Sequence, residues 1–292
     1  MFELKFRKAL ALFMPALFIC MLLASPLKAA SDDPIGDFFS MLRPPELKLP
    51  NIDITPFWTD DLKRARSAYM DGNYAQAAAY FRKLSEDGNM VADWYLGNMF
   101  RLGQGVPVDQ ATAYSYYSRV AENYDPEEPD INRLRIAVDA QLRVADYLRT
   151  GIRSARLAAN PQSSARTYLR VATSYGHPRA LYALGTMSIE GEGMAKNPAQ
   201  GLKWLNAAVR KHSPDAAAYL AELYKAGKIV HQDDTRALMW YIIAAQSAVK
   251  NENPIIFSRL AEMRFGSTEE TRLEAEARAK VWSEQNPVRQ GE

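Results

Sequence analysis

The residues of this sequence that could do chemistry are few and widely spaced. Its three histidines, His177, His212 and His231, occupy turns in different segments and do not supply the convergent ligands of a metal site. We find no Ser-His-Asp order and no nucleophile elbow in the sequence. Cys20 is the single cysteine, and it lies in an N-terminal apolar run. We therefore predict a protein that is not an enzyme, with no catalytic residues, no cofactor and no metal.

Two further patterns could suggest ligand binding. Gly103-x-Gly105 and Gly191-x-Gly193 look like fragments of a phosphate-binding loop, but each follows a predicted helix rather than a strand. Glycine after a helix usually ends it, because the backbone there adopts positive φ. The acidic stretch 124–130 matches no calcium loop in its spacing, and we interpret it as a solvated surface loop.

The glycines belong to a repeated unit. Ala180 and Leu184-Gly185 share one helical face, Gly191 ends that helix, and Trp204 and Ala208 lie on the apolar face of a second helix. The same positions recur 36 residues later, in a copy that begins at Ala216. Further copies begin at Ala92 and, with a longer turn, at Ala140. Matched helix–turn–helix units of this kind predict an α-solenoid.

The segments before the repeats indicate export. A basic start (5–8), an apolar run (9–24) and two closing alanines have the layout of a signal peptide, which we assign to 1–30. A membrane anchor is the competing interpretation, but the run is interrupted by Pro15 and is shorter than the ~20 residues that span a bilayer. A lipid-modified Cys20 is a weaker alternative. Residues 31–58 form a proline-rich extended arm, either docked on the repeats or free.

The repeats occupy 59–250, and 251–292 holds capping helices and a tail. The first helix pair, with Gly72-x-Tyr74 at its turn, resembles the tetratricopeptide variant of the design. Ser267–Glu270 has the pattern of a capping box that opens a terminal helix with a polar outer face. The predicted apolar face of that helix comprises Leu273, Ala277, Val281 and Trp282. With 36 basic and 34 acidic residues, the charge balance gives no support for nucleic-acid binding.

The repeat pattern resembles the Sel1-like repeat family. Within that family the sequence is most similar to the ExoR-type periplasmic regulators of alpha-proteobacteria. The residues that carry this narrower resemblance are Gly72–Ala77, Leu84–Gly88, Leu96–Met99, Gly103–Val106, Gly151-Ile152, Ala165–Tyr168, Gly191–Gly193 and Lys203–Asn206.

The resemblance implies a fold and a function. The fold is an all-α, right-handed α-solenoid of Sel1-like and tetratricopeptide-like helix pairs. ExoR-type proteins bind and inhibit the periplasmic domain of a membrane sensor kinase, repress exopolysaccharide production, and are removed by periplasmic proteolysis in acid. The same fold would also suit a Sel1-like scaffold for a cell-envelope assembly, such as polysaccharide export or peptidoglycan remodelling.

Partner binding is predicted on the concave face. In stacked helix pairs the first helices line that side, and positions near the Leu of Leu-Gly should face the groove. The candidate partner-binding residues are Arg66, Trp94, Asn98, Arg101, Asp146, Arg149, Tyr182, Thr186, Glu222 and Lys225. Tyr, Trp and Arg are the residue types enriched at binding hot spots.

Overall fold

The computed structural model describes residues 59–125 and 127–287. These residues form twelve α-helices and no strand, and an isolated bridge joins Ile152 to Leu157. The helices are α1 (Asp60–Met70), α2 (Tyr74–Glu86), α3 (Met90–Leu102), α4 (Gln110–Glu122), α5 (Ile131–Thr150), α6 (Pro161–Tyr175), α7 (Pro178–Glu190), α8 (Pro198–Arg210), α9 (Pro214–Ala226), α10 (Asp234–Ser247), α11 (Pro254–Gly266) and α12 (Glu269–Gln285). The predicted signal peptide and arm lie outside the described residues.

From α1 to α10 the helices pack in chain order, whereas α12 packs mainly against α10 rather than against α11. The most extensive contacts join the two helices of a pair, as in α3–α4, α7–α8 and α9–α10, and smaller ones join each pair to the next. This local, sequential packing is the signature of a solenoid, in which each repeat touches its neighbours. The predicted all-α solenoid is confirmed.

Small residues let the two helices of a pair approach closely. A Cβ added at Gly185 of α7 would lie 2.7 Å from the Leu205 side chain of α8. One added at Gly201 of α8 would lie 2.5 Å from Ile189. The turn between these helices passes through Gly191 and Gly193, with φ of 79° and 67°. Gly191 therefore ends α7 in the left-handed region, as predicted, and Gly193 continues the turn with positive φ.

The pair α5–α6 contains the largest departure from the repeat. Gly151 follows α5 with φ 73° and ψ 174°, whereas Gly103, Gly191 and Gly227 end α3, α7 and α9 in the left-handed region. The added residues form a short 3-10 helix, Arg153–Ala155, enclosed by two hydrogen bonds between Ile152 and Leu157. The insertion is therefore absorbed in the turn, and the helix packing continues across it.

The C-terminal helices correct two predictions. The N-cap of α12 is Thr268, whose hydroxyl accepts from Thr271 N at 3.2 Å, because Ser267 instead donates to Met263 O at the end of α11. The predicted apolar face is wrong at three of its four positions: Leu273 and Val281 are 61% and 51% exposed and Ala277 is exposed, whereas Trp282 is partly buried and packs against Trp240 of α10. Helix α12 instead buries alanines, Ala275 and Ala279, which permits a close approach to α10.

Candidate functional site

We call the outer surface of the first helices of the pairs, α1, α3, α5, α7 and α9, together with α11, the first-helix face. These helices hold all ten predicted partner-binding residues. Six of them are partly exposed: Arg66, Arg101, Asp146, Arg149, Tyr182 and Lys225. These six residues are the predicted partner-binding residues that a partner could contact.

The other four are buried, so the prediction that they face the groove is wrong. Trp94, Asn98, Thr186 and Glu222 are between 1% and 7% exposed. Their polar atoms bond to neighbouring helices: Trp94 Nε1 donates to Asp139 Oδ2 at 2.8 Å, and Tyr117 Oη donates to Asn98 Oδ1 at 3.0 Å. Since pairs in a solenoid interlock, a polar residue near the groove can be covered by the adjacent repeat.

A network of charged side chains joins α3, α5 and α7. Asp139 on α5 accepts from Trp94 of α3 and lies 3.9 Å from the Arg179 guanidinium of α7. Arg179 also donates to Asp146, about two helical turns after Asp139 on α5. Tyr168 of α6 donates to the other oxygen of Asp146 at 2.5 Å. These charge-assisted bonds fix three successive repeats in register.

A second cluster anchors the end of α5. Arg149 donates through Nε and Nη2 to Glu192 Oε2, at 2.8 and 2.5 Å. Its guanidinium also lies 3.5 Å from Glu190 and 3.4 Å from the Thr186 hydroxyl. Arg149 therefore ties α5 to the glycine turn that follows α7, while part of its side chain stays exposed.

Two titratable groups near Arg179 are shifted by burial. The pKa of His177 is lowered to about 4, chiefly by burial and also by the Arg179 charge, while Asp139 opposes both. Burial raises the pKa of Asp215 on α9, and Arg179 opposes that rise. His177 is the N-cap of α7, where its Nδ1 accepts from Arg179 N at 3.3 Å. The neutral imidazole is thus the form that the fold requires.

Sequence reasoning missed residues one helical turn closer to the N-terminus of each first helix. Asp139, Arg179 and Asp215 stand five residues before the Leu-Gly position of their repeats, and Arg143 stands one before it. A face that advances by three and four residues would have included them. Extending the predicted stripe by one turn was the signal available in the sequence.

A cleft of about 420 Å³ lies among α4, α5 and α6. Ser118 and Gln141 line it, together with Tyr114, Tyr124 and Arg170. The Ser118 hydroxyl and both polar atoms of the Gln141 amide are buried and lack a hydrogen-bond partner in the described part of the chain. No sequence pattern indicated this cleft.

In the described ranges, no three His, Asp or Glu side chains are grouped as a metal site requires. Within the same ranges, every helix is too short or too polar to cross a membrane. Several ion pairs join successive repeats, among them Arg149–Glu192 and Arg179–Asp146. The fold and this face together define a helical-repeat solenoid.

The family comparison is specific. The family model described as "Sel1 repeat" matches residues 66–89, 91–125, 178–213 and 214–248, so these four segments are Sel1 repeats. The first match covers much of the pair that its spacing assigned to the tetratricopeptide variant. Residues 126–177 lie between matches, yet they contain the α5–α6 pair, the fourth copy found from the sequence.

Two curated relatives carry the same description, "Exopolysaccharide production negative regulator". The chain is 31% identical over 164 residues to the one from Rhizobium leguminosarum bv. viciae, covering 56% of this chain and 61% of the relative. It is 31% identical over 142 residues to the one from Rhizobium meliloti (strain 1021), covering 49% and 52%. The matched region therefore spans between half and two thirds of the length of either relative.

A solved structure supports the fold. The crystal structure of a Sel1 repeat protein from Oxalobacter formigenes aligns with a TM-score of 0.54 and 22% identity. The alignment covers 76% of this chain and 88% of that protein. At this identity the likeness concerns the fold alone.

Proposed function

We propose that this protein is a non-enzymatic periplasmic regulator that binds and inhibits the periplasmic domain of a two-component sensor kinase, and thereby represses exopolysaccharide production. The observation that carries the proposal is the 31% identity to two negative regulators of exopolysaccharide production. The proposal includes export through the predicted signal peptide and turnover by a periplasmic protease.

The first-helix face suits a receptor for a folded domain. Arg66, Arg101, Arg149, Tyr182 and Lys225 are partly exposed along successive first helices. Arg and Tyr supply charge-assisted hydrogen bonds and broad contact area, the features common at hot spots. The contacts of Asp139, Asp146 and Arg179 hold the repeats in fixed register, which reduces the ordering cost of binding.

Inhibition follows from selective binding. A sensor domain exchanges between active and inactive conformations, and a protein that binds the inactive one more tightly shifts the population toward it. The shift is limited by the difference between the two affinities. A rigid face made of several repeats can make such a distinction, since a change of domain shape alters many contacts together.

The test combines a genetic and a binding readout. A deletion strain should overproduce exopolysaccharide, and the wild-type gene should restore repression. The triple variant Arg66→Glu, Tyr182→Ser, Lys225→Glu should fail to restore it and should not retain the sensor's periplasmic domain in a pull-down. The control Lys203→Glu changes an exposed residue of a second helix and should behave as wild type.

Two outcomes would refute the proposal. Reduced polymer export in the deletion strain would favour the envelope scaffold, which needs the same face for a different task. Retention of the sensor domain by the triple variant, with helicity unchanged, would move the binding surface elsewhere on the protein.

A further inference from the structure

Two neighbouring arginines on the first helices α3 and α5 have guanidinium groups that are not fully paired. Arg101 lies in the last turn of α3, and Arg143 lies in the middle of α5. Nε and Nη2 of both residues are buried and lack a hydrogen-bond partner in the described part of the chain. Arg143 is 3% exposed, whereas Arg101 is partly exposed at the rim. Buried donors of this kind are costly unless an acceptor reaches them.

The carboxylate that adjoins Arg143 does not complete it. Asp139 Oδ1 lies 3.6 Å from Arg143 Nε, beyond a normal hydrogen bond. The same carboxylate already accepts from Trp94 and lies near Arg179. Burial lowers the pKa of Arg143, Asp139 opposes this, and the charges of Arg179 and Arg101 lower it further. The environment of Arg143 is therefore short of negative charge.

The surrounding hydroxyl groups do not provide that charge. Tyr117 and Tyr147 both experience the charges of Arg101 and Arg143, which oppose the rise that burial causes in the tyrosine pKa values. Tyr117 donates its proton to Asn98 Oδ1, and Tyr147 donates to Gln110 Oε1 at 2.5 Å. Both hydroxyls thus remain neutral, and the site presents an excess of N–H donors.

We propose that Arg101 and Arg143 form a carboxylate-binding site that receives an acidic side chain of the protein partner. A guanidinium offers paired donors that match the two oxygens of a carboxylate. Arg101, at the rim, moves aside to admit the group, and Arg143 binds it from below. This inference rests on the proposed function for the protein that supplies the carboxylate, but the carboxylate site itself can be tested without a partner.

The first arm of the experiment uses the full-length mature protein and a small carboxylate. Thermal unfolding is followed with increasing glutarate, with sodium chloride adjusted to hold ionic strength constant. The wild-type midpoint should rise and saturate, since a ligand that binds the native state stabilises it. Arg143→Met and Arg101→Met should lose this rise. Arg135→Met, which removes an exposed arginine from the same helix, should retain it.

Folding of the variants is checked by circular dichroism. Asp139 keeps its contacts with Trp94 and Arg179 when Arg143 is replaced, so we expect Arg143→Met to fold, and its midpoint in chloride alone is the reference for its glutarate response. Arg101→Met, at the rim, provides a second variant if the Arg143 substitution perturbs the core. A wild-type midpoint that does not respond to glutarate, or an equal response in both variants, would overturn the site.

The second arm identifies the source of the carboxylate. In titrations with the sensor's periplasmic domain, Arg101→Met and Arg143→Met should each weaken binding at least about tenfold, and glutarate should compete. Unchanged binding of both variants, alongside a positive first arm, would overturn the partner side chain in favour of a free small carboxylate. Failure of the wild-type protein to bind the sensor domain would refute the proposed function and its partner ligand, while the first arm still decides the carboxylate site.

Discussion

Replacing His177 by asparagine should make the protein less sensitive to acid. His177 caps α7 with an unprotonated Nδ1 that accepts from Arg179 N. Protonation would remove that acceptor and place a positive charge at a helix N-terminus, where the helix dipole opposes it. The equivalent caps of α3 and α9 are Asn89 and Ser213, which do not titrate in this range. His177→Asn therefore substitutes a cap that the repeat already uses.

The magnitude follows from the two pKa values. In the native state the pKa of His177 is about 4, against 6.5 for histidine in the unfolded chain. Between these values the unfolded chain binds the proton and the native state does not, so stability is lost as the pH falls. pH 5 lies about 1.5 pH units below the pKa of histidine in the unfolded chain, so the free energy of unfolding is lower by about 2 kcal/mol than at neutral pH. At pH 7.5 the contribution of this proton is close to zero.

Urea unfolding at pH 7.5 and pH 5 measures the effect. The loss between the two pH values should be about 2 kcal/mol smaller in His177→Asn than in wild type. Carboxylates such as Asp215 titrate in both proteins, so their contribution cancels in this difference. His231→Asn changes an exposed histidine and should leave the pH dependence as in wild type. An equal loss in His177→Asn and wild type would refute the assignment.

The remaining predictions concern packing. Gly185→Val should lower stability by about 3 kcal/mol or more, because its Cβ would meet Leu205 at 2.7 Å. Gly266→Ala, with nothing within 4 Å of the added Cβ, should be neutral or stabilising in the same urea titrations. Ala275→Leu should destabilise by about 1–3 kcal/mol because the site is fully buried, whereas Val281→Ser should change unfolding free energy by less than about 0.5 kcal/mol. The opposite order at these last two positions would restore the apolar face predicted from the sequence.

The helix pairs and their turns were predictable because the same residue types recur at equivalent positions in several copies of the repeat. Glycines recur at equivalent positions of two copies: Gly97 and Gly185 where the helices of a pair meet, and Gly103 and Gly191 where the first helix ends. Each position has one dominant constraint, close helix packing at the first and positive φ at the second. The insertion in the α5–α6 turn was found for the same reason, since the copies on both sides fix its limits. Periodicity therefore determined the solenoid and most helix bounds.

The buried polar residues were harder to predict. Helical spacing shows which side of α3 carries Trp94 and Asn98, but not whether the next repeat covers them. Whether they are covered depends on how closely successive helix pairs approach, and side chains of α5 and α7 determine that distance. The same limit applies to α12, where spacing favoured Leu273 and Val281 and the close approach to α10 selected alanines instead. Contacts between repeats are not encoded in the period of a single helix.

Hydrogen–deuterium exchange of the full-length mature protein, alone and with the sensor's periplasmic domain, tests the central claim most directly. We predict that binding protects peptides of the first helices, above all the segments of α3, α5 and α7 that carry Arg101, Arg149 and Tyr182. Peptides from the second helices should keep their exchange rates. Protection confined to the second helices would contradict the account. So would unchanged exchange throughout the protein when the sensor's periplasmic domain is present in large molar excess.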